Sequence, residues 1–136
     1  MGGNVLVDAG FIVALLSARD SHHLWAVSQA ARLPPPWTTC EAALSEAFHL
    51  LGPLAAPALA ALLRRRAVAV GFDLSDNLEA VLKVMHKYAD VPASLADASL
   101  VRMTEVLADP VLLTTNADFR VYRRHGRQTI PCKMPS

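Results

Sequence analysis

Hydrophobic and polar positions divide the chain into short runs. Val5-Leu6-Val7 is apolar, stops at Asp8-Ala9-Gly10, and is followed by the unbroken apolar segment Phe11 to Leu16. That pattern predicts a buried strand feeding a buried helix. A second helix is predicted from about Ser21 to Arg32, because Pro34-Pro35-Pro36 cannot continue it and reads as a loop. Trp37 opens a new short segment. Thr38-Thr39-Cys40-Glu41 then fits a capping box for a third helix, with Leu44, Phe48 and Leu51 at helical spacing until Gly52-Pro53. An Ala/Leu-rich helix follows as far as Arg64-Arg65-Arg66, where cations suit the negative end of the helix dipole, and Ala67-Val68-Ala69-Val70 reads as the next strand.

Asp76 with Glu79 predicts another cap, after which Leu78, Val81, Leu82 and Met85 share one face of a helix reaching about Tyr88. Beyond Pro92, Ser94-Leu95-Ala96-Asp97 starts a helix carrying Leu100, Met103 and Leu107, and Val111 to Thr115 is a buried strand. A last short helix and a strand near Thr129-Ile130 complete the pattern. Strands that are apolar throughout and alternate with helices imply a parallel sheet covered on both faces. The expected fold is α/β: one domain over residues 1–136, three layers α/β/α, around a mainly parallel sheet of four to five strands.

Composition sharpens this picture. With 136 residues, 53% hydrophobic and 18% charged, the chain can bury a core without disulfides and is too apolar for disorder, leaving some apolar surface for a partner. The apolar stretch from Val5 to Leu16 is broken by Asp8 and is too short to cross a bilayer, so no membrane association is expected. Cys40 and Cys132 lack the spacing of a zinc site and read as reduced thiols of a cytoplasmic protein. A net charge of +1 does not itself point to nucleic acid, but residues Phe119 to Ser136 hold five cations and no acid, so the remainder is net acidic.

Parallel sheets bind ligands beyond the carboxyl ends of their strands. Asp8 follows the first strand there, and Asn116 and Asp118 follow a late one. Asp97 lies in the first turn of the helix before that late strand, and Glu46 lies within an apolar helix. Glu41 and Glu46 are about 140° apart around a helix, so one can cap while the other faces something else. Each aspartate also has an ordinary structural explanation: Asp8 as a helix cap, Asp97 in a capping box with Ser94, and Asp118 in one with Thr115. His22, His23, His49, His86 and His125 show no metal spacing, and Trp25, Trp37 and Tyr122 read as core or interface anchors.

The order Val5-Leu6-Val7-Asp8-Ala9, Glu46, Ala96-Asp97-Ala98-Ser99-Leu100 and Thr115-Asn116-Ala117-Asp118-Phe119 resembles the PIN-domain ribonucleases over essentially the whole chain. Among these it most resembles VapC-like toxins. Asp118 to Arg124 looks like the closing helix of that family. The resemblance implies a metal-dependent endoribonuclease in which Asp8, Glu46 and Asp97 bind metal, Asp118 supports the site and Asn116 binds metal or the scissile phosphate. Many relatives carry Asp where this chain has Asn116, and an amide is the weaker ligand for Mg²⁺. Clustered carboxylates repel unless protonated or bridged by a cation, and oxygen donors select Mg²⁺ or Mn²⁺, which can activate water against a phosphodiester. Arg120, Arg123 and Arg124 would form a basic rim for RNA phosphates. The resemblance further implies a homodimer, a small antitoxin protein as partner, and tRNA or rRNA as substrate.

Two other readings stand beside this one. A PIN-like RNA-binding or regulatory module with weakened catalysis is suggested by Asn116 and Ser94. A phosphotransfer protein is suggested by Asp8 at the end of the first strand. A haloacid-dehalogenase-like phosphatase needs a second Asp two residues on, where Gly10 stands, and a receiver needs an acidic pair and a late lysine, whereas Lys133 is almost terminal.

Overall fold

The computed structural model describes residues 4–136; residues 1–3 of the expected domain lie outside the described residues. Five strands form one wholly parallel sheet: β1 (Val5–Val7), β2 (Trp37–Thr39), β3 (Val68–Val70), β4 (Val111–Leu113) and β7 (Cys132–Lys133). The spatial order is β3-β2-β1-β4-β7. Leu6 pairs with Thr38 on one side and Leu112 on the other, which makes β1 the central strand. A separate antiparallel hairpin joins β5 (Arg123–Arg124) to β6 (Gln128–Thr129).

The strand period of two assigns alternate residues to opposite faces. Val5, Val7 and Leu113 pack with α1 (Ala9–Leu16), α2 (His23–Arg32) and most of α3 (Glu41–Arg64). Leu6 and Leu112 pack on the other face with Leu100, Val101 and Met103 of α5 (Leu95–Val106). The remaining helix, α4 (Leu78–Lys87), packs against α5 and sends Val84 to the same core. The expected three layers and parallel sheet are therefore present. Phe11 makes edge-on contacts with Trp25 and Trp37, and Tyr122 is fully buried, as the anchor reading requires.

Several local expectations need correction. Thr38 and Thr39 are strand residues, and Thr39 Oγ1 donates to Val7 O at 2.7 Å, so neither hydroxyl builds the expected capping box; Cys40 is the N-cap of α3, without a side-chain bond. At α2, Asp20 Oδ1 accepts from His22 N at 2.8 Å, and this turn keeps Ser21 out of the helix. Near α4, Asp73 takes the turn-forming role assigned to Asp76: it accepts from Ser75 N and Ser75 Oγ, a 3-10 turn covers Ser75–Asn77, and Asn77 precedes the helix without a side-chain cap. The closing helix is only a 3-10 turn, Ala117–Arg120, because His125 and Gly126 adopt positive φ and turn the next residues into the hairpin. The last sheet strand also lies past Ile130, at Cys132–Lys133, with Pro131 O accepting from Leu112 N at 3.0 Å.

Helix α3 combines the two helices expected on either side of Gly52. Gly52 has φ 70°, a conformation that glycine adopts readily, and Pro53 starts the second half. The helix has 24 residues, and its most apolar stretch has a mean hydropathy of 1.4, enough by length and composition alone to cross a membrane. Only 17% of that stretch is buried. Its first half nevertheless packs Ala43, Leu44 and Ala47 into the protein core, while Leu54 beyond the break is 97% exposed.

Candidate active site

Asp8 sits where β1 ends and α1 begins, between the two strands from which the chain winds in opposite directions. That is the crevice in which parallel sheets place their ligands. Its extended backbone makes it the N-cap of α1: Oδ1 accepts from Phe11 N at 2.8 Å, and Oδ2 accepts from Thr114 Oγ1. The capping explanation is thus correct, and it also fixes the carboxylate at the sheet edge. Asp8 is 6% exposed. Burial pushes its carboxyl up to about 6; the bonds from Thr114 and Phe11 oppose this, and the charges of Asp97 and Glu46 add to it.

Asp97 reaches the same neighbourhood from the first turn of α5. Ser94 Oγ accepts from Asp97 N at 3.0 Å, and Ser94 N donates to Asp97 Oδ2 at 3.4 Å, completing the expected capping box. Tyr122 OH donates to the same Oδ2 at 3.2 Å. Burial raises the Asp97 carboxyl above its ordinary range; Ser94 and Tyr122 pull it down, and the Asp118 charge pushes it up. Glu46 is exposed on α3, yet its charge is felt at Asp8. The four acids are therefore electrostatic neighbours around one crevice.

Asn116 and Asp118 follow β4. Asn116 Oδ1 accepts from Asp118 N at 2.9 Å, so Asn116, rather than Thr115, caps the 3-10 turn. Phe119 in that turn is buried and packs edge-on against Tyr122, with ring centroids 5.2 Å apart. The three arginines differ in placement. Arg120 is exposed, Arg123 donates from Nη1 to the carbonyls of Arg120, Val121 and Tyr122, and Arg124 Nη2 donates to Thr104 O. Arg124 is thus tied to the end of α5, and its buried Nε has no partner among the described residues.

Sequence reasoning missed two supporting residues. Thr114 donates to Asp8 and accepts from Asn116 N at 2.9 Å, joining the ends of β1 and β4. Tyr122, read only as an anchor, also carries the hydroxyl that holds Asp97. A polar residue closing an otherwise apolar buried strand was the available signal for Thr114. Tyr122 had none, because its distance from Asp97 in the fold is not visible in the sequence. Gly10 adds a steric constraint: a Cβ there would collide with Thr115 Oγ1, so the phosphatase alternative lacks both the acid and the space for it.

The donor set consists of carboxylates, which suit a hard divalent cation. Raised carboxyls at Asp8 and Asp97 are what unrelieved like charge and burial produce, and a cation would relieve both. Among the described residues, no three acidic, histidine or thiol groups converge tightly enough to form a ready-made ion cage. The fit is one of chemistry and electrostatic neighbourhood.

The PIN domain family model matches residues 5–124 of this chain. Among solved structures the chain is similar to that of Mycobacterium tuberculosis VapC20, a toxin that cleaves the sarcin-ricin loop, with 26% sequence identity and a TM-score of 0.73. The match covers 86% of this chain and 93% of the other. Comparison with curated proteins finds no match. The family match covers most of the chain and the likeness in fold runs nearly the length of both chains: the chain is a VapC-like member of the PIN domain family.

Proposed function

We propose that this protein is an endoribonuclease that hydrolyses RNA phosphodiester bonds with Mg²⁺ or Mn²⁺ bound among Asp8, Glu46 and Asp97. The observation carrying this reading is the buried Asp8 carboxylate at the crevice of a PIN-domain sheet, its carboxyl raised by burial and by two neighbouring acids. When bound, the ion supplies positive charge against the phosphodiester and lowers the proton affinity of its water. Asp8 contributes a ligand whose orientation is fixed by Phe11 N and Thr114 Oγ1. Asp97, held by Ser94 and Tyr122, would contribute a second ligand. Asp118 adds negative charge beside Asp97, and Asn116 orients Asp118 through the cap.

In this reading the protein is a cytosolic toxin restrained by a small antitoxin protein, and its substrate is a structured RNA such as tRNA or rRNA. It forms a homodimer through the exposed apolar surface of α2 and α3, where Leu24, Leu50 and Leu54 are 82%, 58% and 97% exposed. The test is incubation of purified, partner-free protein with total RNA and Mg²⁺ or Mn²⁺, with EDTA and Asp8→Asn controls. Discrete fragments absent from both controls are expected. An intact RNA profile across metals and substrates would favour the weakened binding module, whose motivation is the amide at Asn116.

A further inference from the structure

Beyond the carboxylates lies an open cavity of about 290 Å³, bordered by α4, the second half of α5 and the β5–β6 hairpin. Lys83 and Lys87, one turn apart on α4, line it with Arg102 from α5 and Arg123 from the hairpin. The sole lining carboxylate, Glu105, is already engaged: it pairs with Arg102 at 3.3 Å and accepts from His125 N at 2.7 Å. That pair is the only ion pair among the described residues. The other three cations are uncompensated. Lys87 Nζ donates to Gly126 O at 2.6 Å, and Arg123 donates to main-chain carbonyls; both are neutral partners that hold the charges in place without neutralising them. Lys83 is exposed and has no hydrogen-bond or ionic partner among the described residues. Fixed, unneutralised cations around an indented surface constitute a preorganised anion site.

The wall of the cavity packs, through the protein interior, against a residue of the candidate active site. Tyr88 lines it and packs against Tyr122, with ring centroids 5.1 Å apart, and the Tyr122 hydroxyl is the one bound to Asp97. Along α5, Arg102 lies about 7.5 Å beyond Asp97 at ~1.5 Å per residue. The two lie about 140° apart around α5, and Tyr122 is buried between Asp97 and Tyr88, so the cavity is a surface separate from the acids. Positive grooves with aromatic walls are the usual means of holding a single nucleic-acid strand.

We propose that this cavity is a subsite for one phosphate-bearing nucleotide unit of a bound RNA strand, away from the unit that is cut. It rests on the reading of the protein as one that acts on RNA. Lys83 meets the phosphate as a mobile charge, while Lys87 and Arg123 supply the fixed charge and Arg102, neutralised by Glu105, only lines the rim.

The test uses the full chain, a nuclease-resistant 2′-O-methyl oligoribonucleotide and an acidic glutamate peptide. Amide NMR titrations follow Lys83, Tyr88 and Gly126, and oligonucleotide affinity is measured against salt for the wild type and Lys83→Gln. Cleavage of total RNA by the wild type is recorded separately. The oligonucleotide is expected to shift the cavity amides, and Lys83→Gln to reduce the logarithmic salt slope by about 0.7, equivalent to about fivefold weaker binding at 0.1 M than extrapolation from 1 M salt gives for the wild type. Unmoved cavity amides with an unchanged slope would overturn the subsite, even if the wild type cleaves RNA. A glutamate peptide that shifts these amides while the oligonucleotide does not would overturn it too. Oligonucleotide shifts and the reduced slope without any RNA cleavage would uphold the subsite and instead remove the nuclease reading.

Discussion

At the scale of single residues, Asp8 combines two roles with opposing demands. As a cap it supports α1, and as a buried acid it is most comfortable protonated. Because its folded carboxyl is raised from 3.8 to about 6, its favourable contribution to stability is fully present below pH 3.8 and is lost as pH rises through about 6. The difference corresponds to about 3 kcal/mol. Asp8→Asn should abolish cleavage, and its stability relative to the wild type should improve between pH 4 and pH 8 in urea unfolding; a pH-independent difference would contradict the burial argument. Tyr122→Phe removes a hydroxyl that favours ionised Asp97. We expect about 1 kcal/mol lower stability, cleavage reduced roughly 10-fold, and an acid limb of the pH–rate profile displaced to higher pH. A uniformly lowered profile with an unmoved limb would indicate that Tyr122 acts through packing alone.

At the scale of elements, the close approach of α1 to the loop after β4 is set by Gly10, which lies against Thr115. Gly10→Ala should destabilise the protein by about 1–3 kcal/mol and depress cleavage further than that loss explains, because Thr115 adjoins both Thr114 and Asn116. Thermal unfolding alongside kinetics on the folded fraction separates the two effects. The periodicity of apolar runs was sufficient to reveal the parallel sheet, since Val5-Leu6-Val7 and Val111-Leu112-Leu113 can bury both faces only between helices. The capping box at Ser94 and the break at Gly52 were legible for the same reason: each is a local signal. What was illegible depended on long-range partners. Thr39 resembles a cap until Val7 O is brought beside it, and Arg123-Arg124 resembles helix until Gln128 and Thr129 pair with it. The candidate acids were visible as an ordered set, but the Thr114 and Tyr122 bonds to them arise only when β4, α5 and the terminal hairpin meet.

At the scale of the whole molecule, two surface features stand apart in the fold. Uncompensated cations gather beside α4 and the hairpin, and the most exposed leucines, Leu24, Leu50 and Leu54, lie on α2 and around the Gly52 break. Self-association through the second surface predicts a dimer by light scattering, and Leu50→Asp with Leu54→Asp should yield a folded monomer; a wild-type monomer at every concentration would remove the homodimer. The topology also bears on the order in which the protein matures. Thr114 N donates to Lys133 O at 3.1 Å, so the residue that clasps Asp8 receives its own main-chain support from β7, the last sheet strand in chain order. A ribosome would release all four acids before β7 could dock. The nascent chain therefore carries its acids before it has the strand that steadies them.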